Sequence, residues 1–318
     1  MSKIAKFLDQ ELPPQCSQPA VAADDPDAPA LALRLRRHLA HFITLAATGS
    51  LPLVPPPAQA HWAARGAGHF HLGAELFLQM QGYTEFRFPQ GQVTLRAGEA
   101  LLMPPKLLHD EWVGGDAHGP FANLVIYADS QAVSCHIANE AQPQRPGNLY
   151  LESCQHPDAA RIEGWLVDAT QAPTQDTHGL WPVQQRALVL TALSGVSRLL
   201  DAPEQLVSHE PPLFAKLRMH IQNRLGDVDL TVASLAEAVG CSADYLSHLY
   251  SQHTGEHLWQ VVLRLRLARA ARLLKEDDSA VKEIAWCCGF ASSSHFIRCF
   301  KQQFGTTPKV YRAQALVS

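Results

Sequence analysis

The sequence has no apolar run approaching the ~20 residues that a membrane-spanning helix needs. Its amino terminus also lacks an apolar signal core, because Lys3, Lys6, Asp9 and Glu11 interrupt it. Both absences argue against a membrane partner and against export, and they predict a cytoplasmic protein. A disulfide framework is missing as well. The seven cysteines, Cys16, Cys135, Cys154, Cys241, Cys287, Cys288 and Cys299, are odd in number and form no C-x-x-C pair, so they read as reduced thiols filling small core spaces. Nor is there an overall excess of positive charge. The formal net charge of −4 taken alone disfavours a nucleic-acid partner, yet the charges are unevenly spread. Residues 212–318 hold 13 Lys and Arg against 9 Asp and Glu, whereas residues 1–211 hold 13 against 21. The basic third is where a polyanion would be met, and the acidic remainder confines contact to that third.

What the sequence does have is length enough for two domains, and 47% hydrophobic residues to give each a core. Near the carboxy terminus, Ile284 and Ala285 are followed by Gly289 and then by Phe296, Phe300 and Phe304. Two short helical segments therefore flank a glycine where the backbone turns sharply, a helix-turn-helix pattern. The pattern occurs once before: Leu235-Ala236 falls on Ile284-Ala285 and Gly240 on Gly289. With one extra residue allowed in the second copy, Leu246, Tyr250 and Gly255 fall on Phe296, Phe300 and Gly305. Thr231 and Ser242 are placed to cap the two helices of the first copy. Between the copies, residues 258–275 read as one helix, apolar on one side and arginine-rich on the other. At 1.5 Å per residue its length is about 27 Å, which sets the two second helices near the ~34 Å repeat of B-DNA. The spacing of Trp259, Leu263, Trp286, Phe290, Phe296, Phe300 and Phe304 reads as core.

Ser242-Ala-Asp-Tyr-Leu-Ser-His-Leu-Tyr, Arg264-Leu-Arg-Leu-Ala-Arg-Ala-Ala-Arg-Leu-Leu, Ile284-Ala-Trp-Cys-Cys-Gly-Phe and Phe304-Gly-Thr-Thr-Pro-Lys-Val-Tyr-Arg312 resemble the DNA-binding domain of the AraC/XylS family of transcription regulators. The resemblance covers roughly Pro212 to Gln314. It implies double-stranded DNA and the transcription machinery as partners, and a homodimer. Carried over by position, it places Asp244, Ser247 and His248 of the first copy, and Ser293, Ser294, Ile297 and Arg298 of the second, toward the bases. Arg298 would reach a guanine or a phosphate, and Asp244 fits a helix-start role better than a base contact. Lys301, Lys309 and Arg312 would position the phosphates.

Residues 1–27 read as a polar, proline-bearing arm, and residues 28–200 as one domain with helices at both ends. A helix is predicted over Pro29–Thr48, with Arg34, Arg36 and Arg37 on its solvated face. From His61 to Asp129 the apolar period becomes two. Tyr83–Arg96 reads as a hairpin turning at Pro89–Gln92, and Gly98–Pro105 and Phe121–Tyr127 supply further strands. The fold expected is α+β and multidomain: an antiparallel β-barrel with flanking helices, then an all-α tandem helix-turn-helix domain. Residues 130–157, with Pro143, Pro146 and Pro157, read as irregular connection. Helices follow at Ala159–Thr170 and Pro182–Leu200, the second with a stripe of Val183, Ala187, Leu190, Ser194 and Ser197 beside Leu193 and Leu200. That stripe suits a dimer seam or packing within the chain. Residues 201–212 read as a polar, proline-stiffened linker to a DNA-binding domain at 213–318.

Within the barrel, His69-x-His71-x3-Glu75 followed by Gly98-x5-Pro104-x4-His109 resembles the two cupin motifs, with Lys106 where that pattern usually has a glycine. On a strand, His69, His71 and Glu75 share one face, and His109 is brought opposite. Three imidazoles and a carboxylate suit a divalent Fe, Mn, Ni or Zn ion. A pocket for an organic effector without metal, or an uninvolved structural set, fits the same residues. His118 and His136 read as surface positions. Three functions are in play: a regulator controlled by a small-molecule or metal effector, a metal-dependent cupin enzyme on a DNA-binding tail, and a barrel serving only dimerisation. The enzyme reading lacks an acid or base beside the ligands, since Glu99, Asp110 and Glu111 fall at ordinary turn positions.

Overall fold

The computed structural model describes residues 27–57, 68–71, 73–105, 107–173, 175–202, 208–209, 212–276 and 279–315. The arm at 1–26 with Cys16, the position of Lys106 and most of the 201–212 linker lie outside the described residues. Helix α1, Ala28–Ala47, begins with proline in its first turn, where the missing N–H costs nothing. Eight strands then follow in order: β1 Glu75–Gln81, β2 Tyr83–Phe88, β3 Gly91–Arg96, β4 Ala100–Met103, β5 Asp110–Gly114, β6 Ala122–Ala128, β7 Ala132–Gln142 and β8 Arg145–Gln155. Helices α2, Ala159–Asp168, and α3, Trp181–Leu200, come next, and a two-residue strand β9 at Ser208–His209 pairs with β8. The strands form two antiparallel sheets, β4-β1-β6-β7-β8-β9 and β3-β2-β5.

Alternation along β1 decides what each face of the larger sheet does. Leu76 and Leu78 point to a core shared with Leu35, Leu39 and Phe42 of α1, Ile162 and Leu166 of α2, and Val189, Leu193 and Val196 of α3. Phe77, of opposite parity, packs between the sheets with Phe86, Phe88, Leu95, Leu101, Met103 and Val125. Glu75 shares the parity of Phe77 and is itself buried.

Several expectations need correction. Residues 132–155 are no loose connection but the longest hairpin of the domain. Pro143 occupies its turn, and Pro146 lies where the ladder slips its register near an otherwise unpaired edge, two places that tolerate a missing N–H. His136 accordingly sits half-buried on β7, while His118 is exposed in a turn. Helix α3 is rotated from the predicted stripe: Val189, Ala192, Leu193, Val196, Leu199 and Leu200 are buried, whereas Val183, Ala187 and Ser194 are exposed. Arg36 is not merely solvated. It donates to Glu152 at 2.7 Å, to Asp201 at 2.9 Å and to the Leu200 carbonyl, tying α1 to β8 and to the end of α3.

The remaining chain is helical: α4 Pro212–Arg224, α5 Val232–Ala238, α6 Ala243–Thr254, α7 Leu258–Glu276, α8 Val281–Cys287, α9 Ser293–Phe304 and α10 Pro308–Ala315. Thr231 and Ser234 form a reciprocal capping box at α5, and the Ser242 and Ser292 side chains accept from the Tyr245 and His295 amides at the starts of α6 and α9. The two repeats build separate cores, one around Leu235 and Leu246, the other around Ile284, Phe296 and Phe300. Trp259 and Trp286 stay outside them, at 40% and 41% exposure, contrary to their spacing. The arginine face of α7 is also misread from sequence. Arg266 and Arg269 are 4% and 2% exposed, and Arg266 donates to the Leu225 and Asp227 carbonyls, bracing the loop before α5.

The two turns repeat with φ of 77° at Gly240 and 76° at Gly289, a left-handed geometry that an L side chain adopts only under strain. Their surroundings differ. A Cβ on Gly240 meets nothing within 4 Å, whereas one on Gly289 would sit 2.6 Å from the Arg266 guanidinium carbon. Gly240→Ala should therefore cost the backbone strain alone, about 1–2 kcal/mol. Gly289→Ala should also loosen two charged hydrogen bonds, bringing its cost to about 3–4 kcal/mol. Urea unfolding of the two variants measures the gap, and equal midpoints would mean that Arg266 does not brace this turn.

Candidate functional site

His69 and His109 exchange backbone hydrogen bonds of 2.8 and 2.9 Å in an isolated antiparallel bridge. That pairing requires Gly68: at φ +106°, a Cβ there would lie 2.0 Å from the His109 carbonyl oxygen. His71 follows two residues on, with ring centroids 4.9 Å from His69 and 6.0 Å from His109. One ligand nitrogen from each imidazole lies within 4.8 Å of the others. Nitrogens sharing one tetrahedral zinc at about 2.0–2.1 Å stand about 3.3 Å apart, so the rings are gathered but slightly splayed. The structure gathers His69, His71 and His109, with Glu75 beside His71, by a route other than shared strand parity. The two histidines precede β1 rather than lying on it, and Glu75 is the first residue of that strand.

Several polar atoms of the cluster are buried without partners. The His109 Nδ1–H donates to the Leu107 carbonyl at 2.8 Å, which leaves the buried Nε2 lone pair free, with no hydrogen-bond partner. His71 Nε2 and Glu75 Oε2 are likewise buried and unpartnered, 3.3 Å apart without hydrogen-bond alignment. Burial pushes the proton affinity of His69 down to about 3, that of His109 to about 4 and that of His71 well below its ordinary value, so all three rings are neutral at pH 7. Burial also raises the Glu75 carboxyl well above the usual range, a cost that a bound dication would remove. Phe77, Phe86 and Phe88 surround His109 with ring centroids 6.2–6.5 Å away, while the His69 side chain stays partly open to solvent.

Sequence reading missed one member of the cluster. Glu111 lies on β5, opposite Phe86, and its Oε1 is 3.9 Å from His69 Nε2 and 3.8 Å from His109 Nε2. Burial raises its carboxyl to about 7. Far from an ordinary turn position, it is a second carboxylate beside the imidazoles. The signal was present in its parity with His109, two residues apart on an extended segment. Asp110, on the opposite face, pairs with Arg145 at 2.8 Å, and Glu99 accepts from the Arg96 amide in a turn.

The second group of site residues lines α6 and α9. Asp244 and His248 are exposed on α6 and Ser247 is half-buried; Ser294, Ile297, Arg298 and Lys301 are exposed on α9 with Ser293 half-buried. Asp244 stands in the first turn of α6, as its helix-start role requires. With Leu246 and Phe296 as the buried equivalents, Ser247 matches Ile297 and His248 matches Arg298. Ser242 follows Gly240 by two residues while Ser292 follows Gly289 by three, so the single inserted residue sits in the second turn. Arg312 is engaged within the domain, donating to the Ser279 carbonyl at 2.6 Å.

The pattern described as an AraC-like ligand binding domain matches residues 53–192, and the one described as a helix-turn-helix domain matches residues 235–314. An uncharacterized HTH-type transcriptional regulator of Escherichia coli K12, YijO, is 36% identical over 129 residues, 41% of this chain and 45% of that protein. The transcriptional activator NphR of a Rhodococcus species is 32% identical over 141 residues, 42% of each chain. A crystal structure of an AraC-type transcriptional regulator from Chromobacterium violaceum is 30% identical, covering 33% of this chain and 92% of that one, with a TM-score of 0.31. The chain thus spans less than half the length of both curated relatives it is compared with. Fold and patterns together define a two-domain chain with a ligand-binding barrel ahead of a helix-turn-helix unit. Its barrel is similar to AraC-like ligand binding domains, and its helical unit to the helix-turn-helix domains of transcription regulators.

Proposed function

We propose that this protein is a cytoplasmic, sequence-specific DNA-binding regulator of transcription, controlled by an effector in its barrel. We further assign His69, His71 and His109, with Glu75 and Glu111, as the residues that hold a divalent Fe, Mn, Ni or Zn ion there. The observation that carries the DNA reading is the repeat itself: two glycine-hinged helix pairs joined by the 19-residue α7, each presenting an exposed polar face. A helix of that length, about 28 Å, suits entry of α6 and α9 into successive turns of one major groove. The bound ion would supply a Lewis-acid centre with positions open to a small ligand. The chain's own part is to fix the His109 tautomer through Leu107 and to hold that ring among Phe77, Phe86 and Phe88.

Glu111 removes the earlier objection to an enzyme, since a carboxyl does stand beside the ligands. The regulatory reading rests instead on the domain pairing and on relatives named as regulators. A homodimer, and contact with the transcription machinery, belong to the same proposal; the exposed Val183, Ala187 and Ser194 row of α3 is free for a dimer seam. The reading is tested by selecting bound sequences from a random duplex pool and footprinting the winners. Two protected major-groove segments about 10 base pairs apart are expected for each chain. Protection of one segment only, or no enrichment, would show that the tandem unit does not read DNA in this way.

A further inference from the structure

Among the described residues, both α4 and α7 make contacts between the two domains. On one side Arg218 of α4 reaches Asp129, Ser134 and Ser153 of the barrel. On the other, Arg269 from the middle of α7 enters the effector site's own wall. Its guanidinium carbon lies 3.6 Å above the centre of the Phe70 ring, and Nη2 donates to the Phe70 carbonyl at 3.3 Å. Phe70 is the residue between His69 and His71. The Arg269 side chain is 2% exposed, its Nε has no hydrogen-bond partner, and among the described residues no carboxylate pairs with it. A buried cation that no carboxylate among the described residues neutralises is sensitive to any further charge brought near it.

We infer that Arg269 reports occupancy of the imidazole site to the DNA-binding domain: a dication on His69, His71 and His109, and the guanidinium docked on Phe70, disfavour each other. The inference rests on the metal reading of that site. Two like charges in a water-poor interior repel far more strongly than at the surface, and the guanidinium can relieve the repulsion by leaving Phe70. Arg269 belongs to α7, the helix that spaces α6 and α9, so its release frees the element that sets their separation. Linkage then requires reciprocity: whatever factor the cation costs the docked state, the docked guanidinium costs the cation's affinity.

The test uses the full chain with zinc alone as the probe. Isothermal titration compares wild type, Arg269→Gln and Arg269→Lys, and hydrogen exchange follows residues 68–71 and 264–272 with and without zinc. Arg269→Gln should bind zinc at least about ten-fold more tightly than wild type, while Arg269→Lys, which keeps the charge, should stay near wild type. Zinc should slow exchange at residues 68–71, which hold two of its ligands, in all three proteins, and should speed exchange at residues 264–272 in wild type and Arg269→Lys but not in Arg269→Gln. Equal zinc affinity in wild type and Arg269→Gln, or equal shifts at residues 264–272 in the Gln and Lys variants, would overturn the charge competition while leaving the metal site standing. Zinc bound by none of the three would instead remove the metal site, and this inference with it.

Discussion

His109→Ala is expected to abolish stoichiometric metal retention by the barrel. Of the proposed ligands His109 is the most committed to one role, because Leu107 holds its Nδ1–H and leaves Nε2 without a hydrogen-bond partner. Losing a partner that merely orients a ligand costs ten- to a hundred-fold in affinity, so losing the ligand itself should cost at least about a hundred-fold. Elemental analysis after dialysis, on protein prepared without chelator, reads the result. The ring is also wholly buried among Phe77, Phe86 and Phe88, and its removal leaves a cavity. Urea unfolding of the same sample therefore separates a lost ligand from a lost fold. One metal equivalent retained by a folded His109→Ala protein would refute the assignment.

The second large effect is expected from Arg298→Ala. Arg298 is exposed on α9, while Phe296 and Phe300 on the same helix are fully buried and fix which face it presents. A guanidinium bidentate to a guanine contributes about 1–3 kcal/mol of discrimination, so affinity for the selected sequence should fall by a factor of roughly 5 to 150 and base preference should relax at one position. If the contact is to phosphate, affinity falls on all sequences alike and the salt dependence drops by about one ion. His248→Ala, at the matching place on α6, should have the smaller effect, because an imidazole lacks the forked donor pair with which a guanidinium grips a guanine. Gel shifts at several salt concentrations distinguish these outcomes, and unchanged affinity and preference in Arg298→Ala would remove α9 from the interface.

What the sequence made legible was local. The hairpin at 83–96, helix α1 and the four helices of the tandem repeat each carry their own periodicity, capping residue or obligatory glycine within a dozen residues. What escaped depends on distant partners. Strand β5 is five residues long and is defined by pairing with β2, some twenty-five positions earlier, so Glu111 looked like a turn residue. The β7–β8 hairpin was hidden by prolines that a turn and a sheet edge accommodate. Arg266 and Arg269 run against the strong tendency of arginine to face water, and only the carbonyls of Leu225, Asp227 and Phe70, far off in the chain, explain their burial. The histidine cluster was legible as a set and illegible as a geometry, because the bridge that aligns it depends on the close approach of Gly68 to His109.

The two helix-turn-helix copies follow one another along a single chain, and they are not equals. Ser247 and His248 on one stand where Ile297 and Arg298 stand on the other, and one extra residue separates the second hinge from its reading helix. A pair of identical readers related by a two-fold axis sees the same duplex from either end; this pair does not. Its target has an arrow. Turning that target around would exchange which half lies under each copy and would carry the barrel, attached ahead of the first copy, to the other flank of the site.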